Sequence, residues 1–129
     1  MAAISYVNLF ARDIEALSRF YRDVFGFRVI DGVSSPIFRA VDAGNCRIGF
    51  NAHDAYRLLN LAEPSGSGGV RSMVTVAVDD AASVDRLSAL ALAAGATLAK
   101  PGYATTYGSY QAVLLDPEGH VVRIDALRR

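Results

Sequence analysis

The sequence predicts an α+β fold made of two βαβββ modules. An alternating apolar strand leads into a capped amphipathic helix twice along the chain, once near each end of the 129 residues. Matching Asp13 with Asp80 also matches Leu17 with Val84, so the two halves share one pattern. A glycine- and serine-rich stretch, residues 63–69, separates them and has the composition of a linker. These observations together indicate an internal duplication.

The first half reads β-α-β-β-β. Asp13 is expected to cap a helix that ends at Gly26, because apolar residues recur between them at helical spacing. A turn at residues 42–45 joins the last two strands. The expected strands are residues 4–10, 27–30, 37–41 and 46–50.

The second half repeats this order. Asp79 or Asp80 is expected to cap the helix, and Gly95 ends it. A turn at residues 116–119 connects the last two strands. The expected strands are residues 72–78, 97–100, 110–115 and 121–127. The chain is therefore predicted to be one domain, 1–129, of two repeats, 1–62 and 70–129, with the linker at 63–69.

Composition restricts the partners. Thirteen basic and thirteen acidic residues cancel, so no large field of one sign favours nucleic acid or an anionic membrane surface. A mean hydropathy of +0.24 is high for a small soluble monomer and favours a homodimer. One cysteine, Cys46, excludes an internal disulfide. With no signal peptide and no long apolar run, the protein is expected to be soluble and cytoplasmic.

Two such curved sheets would form a trough, with the helices outside and the concave side free for a ligand. Alternation along the strands predicts which residues face it. Val7 and Leu9 should pack on the first helix, and Val122, Ile124 and Ala126 on the helix side of the last strand. The trough-facing residues are then Tyr6, Asn8, Phe10, Arg47, Gly49, Asn51, Met73, Thr75, Ala77, Val121, Arg123 and Asp125.

Several motifs resemble those of one superfamily. They are Leu-Phe-Ala-Arg-Asp at 9–13, Ser-Arg-Phe-Tyr-Arg-Asp-Val-Phe-Gly-Phe at 18–27, Val-Ala-Val-Asp at 76–79, Ala-Gly-Ala at 94–96 and Leu-Asp-Pro-Glu-Gly-His at 115–120. In them the chain is similar to the vicinal oxygen chelate superfamily, which includes glyoxalases, bleomycin- and fosfomycin-resistance proteins and extradiol dioxygenases. The resemblance implies the glyoxalase/bleomycin-resistance/dioxygenase fold. It says little about the reaction, because this scaffold supports many chemistries.

The resemblance also implies where a metal would be bound. The superfamily's metal enzymes take ligands, mostly histidines and glutamates, from the first and last strands of each module. Those positions fall on Tyr6, Gly49, Met73 and Arg123. None is a normal ligand for a hard divalent ion, and a guanidinium is a permanent cation without a lone pair to donate. We therefore predict no metal and no other cofactor at this site.

Other polar residues leave alternatives open. His120, in the turn before the last strand, is expected to support that turn; His53 is a surface-loop residue or a general base. Arg123 could hold a carboxylate or phosphate of a ligand, or be neutralised by Asp125 on the same strand face. Tyr103, Tyr107 and Tyr110 fit either ordinary packing or a stacking wall for a flat ligand.

The sequence favours a protein that binds a small organic molecule, anionic or aromatic, in a metal-free trough. The expected ligand-binding residues are Tyr6, Asn8, Phe10, Met73, Thr75, Arg123 and Asp125. The alternative is a lyase-, isomerase- or dioxygenase-like enzyme with a non-standard or metal-free site, in which Tyr6, His53 or Tyr107 transfers a proton. A third alternative is a structural or regulatory subunit with an empty trough. The expected partners are the small molecule and a second copy of the chain.

Overall fold

A computed structural model describes residues 1, 3–65 and 70–127 of the chain. The predicted linker therefore lies outside the described residues from position 66 to 69. The chain divides into two compact units, Met1–Ser67 and Gly68–Arg129. Each unit carries one four-stranded mixed sheet with a long helix packed against it.

In the first unit the strands are β1 (Tyr6–Ala11), β2 (Arg28–Val29), β3 (Phe38–Asp42) and β4 (Arg47–Ala52). The helices are α1 (Ile14–Phe25), a short 3-10 helix (Asp31–Val33) and α2 (Asp54–Leu58). The strand order is β1-β4-β3-β2, with β1 and β4 parallel and the other pairs antiparallel.

The second unit has the same arrangement. Its elements are β5 (Val74–Ala77), α3 (Ala81–Ala93), β6 (Thr97–Ala104), β7 (Ser109–Leu115) and β8 (Val121–Leu127). The strand order is β5-β8-β7-β6, and here β5 and β8 form the parallel pair. The predicted α+β fold of two βαβββ modules is confirmed.

Capping sets the helix ends. The Asp13 side chain accepts a hydrogen bond from the Ala16 N–H at 3.0 Å, and α1 ends at Gly26, whose φ of 74° is left-handed. Of the two candidate caps for α3, Asp80 is the one used, since it accepts a hydrogen bond from the Ser83 N–H at 2.8 Å. The predicted helix boundaries are therefore confirmed at both N-termini.

Each helix buries an apolar stripe against its own sheet. In the first unit, Tyr21 of α1 is fully buried and its ring lies 5.5 Å from that of Phe50 in β4. In the second unit, Val84 and Ala91 of α3 are buried with Leu114 of β7 and Ile124 of β8. Burial of such side chains is the main contribution to the stability of each unit.

Three details differ from the sequence prediction. Val7 is 38% exposed instead of packed under α1, because β1 is an edge strand and α1 packs mainly on β3 and β4. Met73 precedes β5 and is exposed, so it is not a strand residue. His53 lies directly before α2, a five-residue helix too short to give a periodic signal in the sequence.

No helix among the described residues is both long enough and apolar enough to cross a membrane.

Candidate functional site

One face of each sheet packs on a helix, and the opposite face carries most of the candidate residues. In β8 the buried residues Val122, Ile124 and Ala126 alternate with partly exposed ones, Arg123 and Asp125 among them. The predicted alternation of this strand is confirmed. We call the side opposite the long helix the helix-free face of each sheet.

Polar side chains on the helix-free face of the first sheet are paired with each other. The parallel register places Tyr6 beside Arg47 and Asn8 beside Gly49. Arg47 donates a hydrogen bond to the Tyr6 hydroxyl at 3.1 Å, and the Asn51 amide donates one to Asn8 Oδ1 at 3.0 Å. These contacts satisfy much of the polar capacity of Tyr6 and Asn8 within the protein.

Gly49 lies at a crowded point of this face. A Cβ atom built there would clash with Asn8 Oδ1 and would lie 2.9 Å from Cε1 of Phe38. Any side chain at position 49 therefore requires Asn8 and the Phe38 ring to move. The space beside this strand position is filled by the protein's own groups.

An aromatic pair lies where β1 ends in the first unit. Phe10 stacks on Tyr56 of α2, with ring centroids 4.1 Å apart. His53 contacts the edge of Tyr56 at 5.5 Å, and its Nδ1 lies 3.7 Å from Glu63 Oε1. Burial, together with the charge of Glu63, raises the pKa of the Tyr56 phenol. Sequence reasoning missed Tyr56, because α2 was not predicted.

A cleft of about 740 Å³ lies beside this pair. It is lined by His53, Asp54, Tyr56, Arg57, Leu58, Leu61 and Glu63.

The second sheet brings two charged residues onto its helix-free face. Arg123 lies between Thr75 of β5 and Val113 of β7, and Asp125 lies between Ala77 and Gln111. Arg123 Nε donates a hydrogen bond to Thr75 Oγ1 at 3.2 Å.

These two charges are not paired with each other. No carboxylate of the described residues forms an ion pair with Arg123. Asp125 Oδ1 is buried and has no hydrogen-bond partner in the part of the chain that the structure describes. The internal Arg123–Asp125 pair that the sequence left open is therefore not formed.

Gln111, the neighbour of Asp125 in β7, is hydrogen-bonded to two tyrosines. The Tyr107 hydroxyl donates to Gln111 Oε1 at 2.8 Å, and Gln111 Nε2 donates to the Tyr103 hydroxyl at 2.7 Å. The Lys100 ammonium lies 3.8 Å from the centre of the Tyr103 ring. Gln111 is buried, whereas Tyr107 is 61% exposed. Sequence reasoning missed Gln111, since nothing in its neighbourhood marks it as a hydrogen-bonding centre.

Tyr110 does not belong to this group. Its backbone partner in β8 is the buried Ala126, and its hydroxyl donates to Asp85 of α3 at 2.8 Å. That hydrogen bond raises the pKa of Tyr110. Of the two interpretations that the sequence left open, ordinary packing applies to Tyr110, which lies on the helix side.

His120 supports the turn before β8, as expected. Its Nδ1 lies 3.0 Å from Oδ2 of the buried Asp116. The same carboxylate accepts hydrogen bonds from the backbone N–H groups of Glu118 and His120. We assign this histidine a structural role.

The residues at the superfamily's metal-ligand positions do not fit a divalent ion. The Tyr6 hydroxyl is bonded to Arg47, position 49 has no side chain, Met73 offers only a soft thioether, and Arg123 is a cation. Within residues 1, 3–65 and 70–127, no three His, Cys, Asp or Glu side chains are grouped so that they could hold a metal ion.

The comparisons with known proteins agree with the fold. The family model described as Glyoxalase/Bleomycin resistance protein/Dioxygenase superfamily matches residues 3–124. The chain shares 52% sequence identity with a glyoxalase/bleomycin resistance protein/dioxygenase family enzyme from Burkholderia phytofirmans PsJN. The crystal structure of that enzyme matches with a TM-score of 0.93 over 98% of this chain and 99% of that one. Comparison with curated proteins found no match.

More distant structures share the fold alone. A glyoxalase-related enzyme from Fulvimarina pelagi is 22% identical, with a TM-score of 0.84 over 98% of this chain and 88% of that one. A lactoylglutathione lyase from Agrobacterium tumefaciens is 23% identical, with a TM-score of 0.72 over 98% of this chain and 94% of that one. The chain belongs to the glyoxalase/bleomycin resistance protein/dioxygenase superfamily.

Proposed function

We propose that this protein binds a small organic anion on the helix-free face of its second sheet, without a metal at the superfamily's ligand positions. The observation that carries the proposal is the state of Arg123. Its only partner among the described residues is the neutral hydroxyl of Thr75. A cation in a sheet face without a counter-charge favours an anionic ligand, because a charge-assisted hydrogen bond would then stabilise it.

The geometry of a guanidinium suits carboxylates and phosphates. It carries five N–H donors in a planar fork, and in Arg123 only the Nε–H is used by Thr75. The terminal N–H groups are left to form two parallel bonds with one anionic group. Because Arg123 is partly buried, these bonds are less weakened by water than bonds on an exposed surface.

The neighbouring aromatic residues support a ligand that includes a ring. Gln111 holds Tyr103 and Tyr107 by their hydroxyls, so these rings lose little freedom when a ligand stacks on them. Lys100, beside Tyr103, adds a second positive charge to this side of the sheet.

Tyr6, Asn8 and Phe10, predicted from the sequence as ligand contacts, lie on the first module's own sheet and stay a separate prediction. Tyr6 and Asn8 are already hydrogen-bonded to Arg47 and Asn51, so they would contribute shape more than new hydrogen bonds. Phe10, stacked on Tyr56, would contribute apolar surface.

The proposal is tested by titrating the protein with benzoate and phenyl phosphate, using neutral benzamide as a matched probe. We expect the anions to bind and benzamide to bind much more weakly. Arg123→Gln should weaken anion binding about tenfold to a hundredfold, because a charge-assisted hydrogen bond contributes about 1.5–3 kcal/mol. Calorimetry with and without EDTA should give the same affinity.

The control is Arg86→Gln, which removes an exposed cation from α3 of the same module. It should leave anion affinity unchanged. Equal binding of benzoate and benzamide, or equal losses in the Arg123 and Arg86 variants, would rule out Arg123 as the anion anchor. A loss of binding on adding EDTA would show that a metal takes part.

A second candidate function is metal-free proton transfer by His53. The observation in its favour is the position of Glu63 Oε1, 3.7 Å from His53 Nδ1, at the side of the cleft that Tyr56, Leu58 and Leu61 also line. A carboxylate there could orient the imidazole as a general base. If the protein turns over a substrate, and His53→Gln abolishes this turnover without changing anion binding, proton transfer would be favoured over binding alone as the function.

A further inference from the structure

We propose that the ligand carries a hydrogen-bond donor, a hydroxyl or an amine, at a short distance from its anionic group, and that Asp125 accepts this donor. The inference rests on the proposed function in one respect: Arg123 binds the anionic group. It goes further in giving Asp125 a role and in defining the chemical class of the ligand.

The first observation is that Asp125 lacks a partner. Its Oδ1 is buried without a hydrogen bond, and Asp125 forms no ion pair with another described residue. A buried acceptor left unpaired is costly, more so for a carboxylate than for a neutral group. Such a group requires a physical explanation, and a role in binding or catalysis is one.

The residues on either side of Asp125 explain why it stays unpaired. Ala77, its neighbour in β5, has no polar side-chain atom. Gln111, its neighbour in β7, already donates a hydrogen bond to Tyr103 through Nε2 and accepts one from Tyr107 at Oε1. Arg123 is turned towards Thr75. None of these three neighbours therefore donates a hydrogen bond to the Asp125 carboxylate.

The second observation is the spacing of the two charges. Arg123 and Asp125 are two residues apart in β8 and lie on the same face, so their backbones are separated by about 6–7 Å. A ligand that reaches both needs its anion and its donor at comparable separation. Hydroxybenzoates and aminomethylbenzoates, whose donor lies across the ring from the carboxylate, come closest to this condition.

The third observation is a cleft of about 780 Å³ that Asp125 helps to line. It lies at the end of the sheet where β5 leads into α3, and Ala77, Asp79, Tyr110 and Leu127 also border it; Arg123 is not among its lining residues, so the cleft gives access to Asp125 only. Its size is sufficient for a small molecule. Because Oδ1 is buried, the ligand's donor would bind Oδ2; that hydrogen bond would stabilise the shared negative charge of the carboxylate and leave Oδ1 itself unpaired.

The test compares four probes by calorimetry: benzoate, 3-hydroxybenzoate, 4-hydroxybenzoate and 4-(aminomethyl)benzoate. We expect at least one donor-bearing probe to bind wild-type protein about tenfold more tightly than benzoate does, as expected for a hydrogen bond to a charged group. Asp125→Ala should remove this advantage, so that the donor-bearing probe binds no more tightly than benzoate does. Asp79→Ala, which removes an exposed carboxylate from the same cleft, should preserve the advantage.

The possible outcomes separate this inference from the proposed function. If benzoate binding depends on Arg123 but every donor-bearing probe binds no more tightly, Asp125 is not a ligand acceptor and the proposed function stands. If Asp125→Ala weakens all four probes equally, the residue acts on structure alone and the inference is overturned. If none of the four probes binds in an Arg123-dependent way, both proposals are overturned.

Thermal unfolding gives an independent readout that needs no ligand. Asp125→Asn replaces an unpaired carboxylate by a neutral amide of nearly the same shape. We expect an unchanged or higher Tm, because no native hydrogen bond is lost. A Tm lowered by several degrees would show that Asp125 has a structural partner, which contradicts the inference.

Discussion

At the scale of single residues, the two modules differ at one pair of equivalent positions. The parallel registers place Asn8 beside Gly49 in the first sheet and Thr75 beside Arg123 in the second. In the first sheet Asn8 and Phe38 fill the space over the glycine. In the second, Thr75 holds a cation that has no counter-charge among the described residues. One position is thus filled by the protein, and the other carries the cation to which we assign the proposed ligand.

Gly49→Ala tests how tightly the first position is filled. The added methyl group would push Asn8 away from Asn51, breaking their 3.0 Å hydrogen bond, and would displace the Phe38 ring. Overpacking of this kind costs about 1–3 kcal/mol. We expect urea denaturation to give a correspondingly lower free energy of unfolding for the variant.

The matched control is Gly32→Ala, since a Cβ atom at Gly32 meets nothing within 4 Å. It should leave stability nearly unchanged or slightly raise it. If the two variants were equally stable, the space over position 49 would not be filled as described. A larger side chain, such as a metal-binding one, could then be accommodated there.

At the scale of elements, the sequence predicted the helices better than the side-chain networks. Asp13 and Gly26 delimit α1 because capping depends on local residues and backbone angles. The alternation of β8 was also predictable, since its period of two is unbroken over seven residues. The sequence could not distinguish Asp79 from Asp80 as the N-cap of α3, because the backbone path between β5 and α3 decides which of them caps the helix.

The networks depend on contacts between distant residues and could not be predicted. The side of the sheet on which Tyr110 lies follows from its pairing with β8 and from Asp85 on α3. In β6 the register shifts between Lys100 and Tyr103, and a Cβ at Gly102 would lie 2.5 Å from Asp85 Oδ1. An irregular strand of this kind gives no periodic signal. The partners of Gln111 likewise appear only in the folded chain.

The cap of α3 has a predictable pH dependence. Hydrogen bonds from the Ser83 side chain and backbone hold the pKa of Asp80 below its ordinary value. A lowered pKa means that the carboxylate stabilises the fold fully above its unfolded-state pKa, near pH 4, and that this stabilisation is lost as the pH falls through the lower folded-state value. Asp80→Ala should therefore have a lower Tm than wild type at pH 7.

Calorimetric scans across the acid range check this prediction. The Tm difference between wild type and Asp80→Ala should shrink below about pH 4 and vanish at lower pH. Asp79→Ala, which changes the adjacent exposed aspartate, should show little Tm difference from wild type at pH 7. A Tm difference for Asp80→Ala that is constant down to low pH would mean that the charged side-chain cap contributes nothing.

At the scale of the whole chain, superfamily membership and function are separate conclusions. The family model covers residues 3–124, and both modules have the strand order of one repeated unit. The scaffold is therefore predictable from short motifs in the sequence. The ligand is not, because it depends on which side chains replace the metal ligands and on whether those side chains are paired.

The homodimer predicted from the mean hydropathy of +0.24 stays a prediction, and the structure suggests where to test it. Leu58, Leu59 and Leu61, at the end of α2 and just beyond it, are 73%, 54% and 50% exposed. Clustered exposed leucines are unfavourable in water and are typical of interaction surfaces.

We expect sedimentation at micromolar concentration to give twice the 13.8 kDa of one chain, and Leu58→Asp with Leu61→Asp to shift the mass towards one chain. Leu90→Asp changes an exposed leucine of α3 and serves as the control. A wild-type protein that sediments as a monomer would show that these leucines are not a self-association surface.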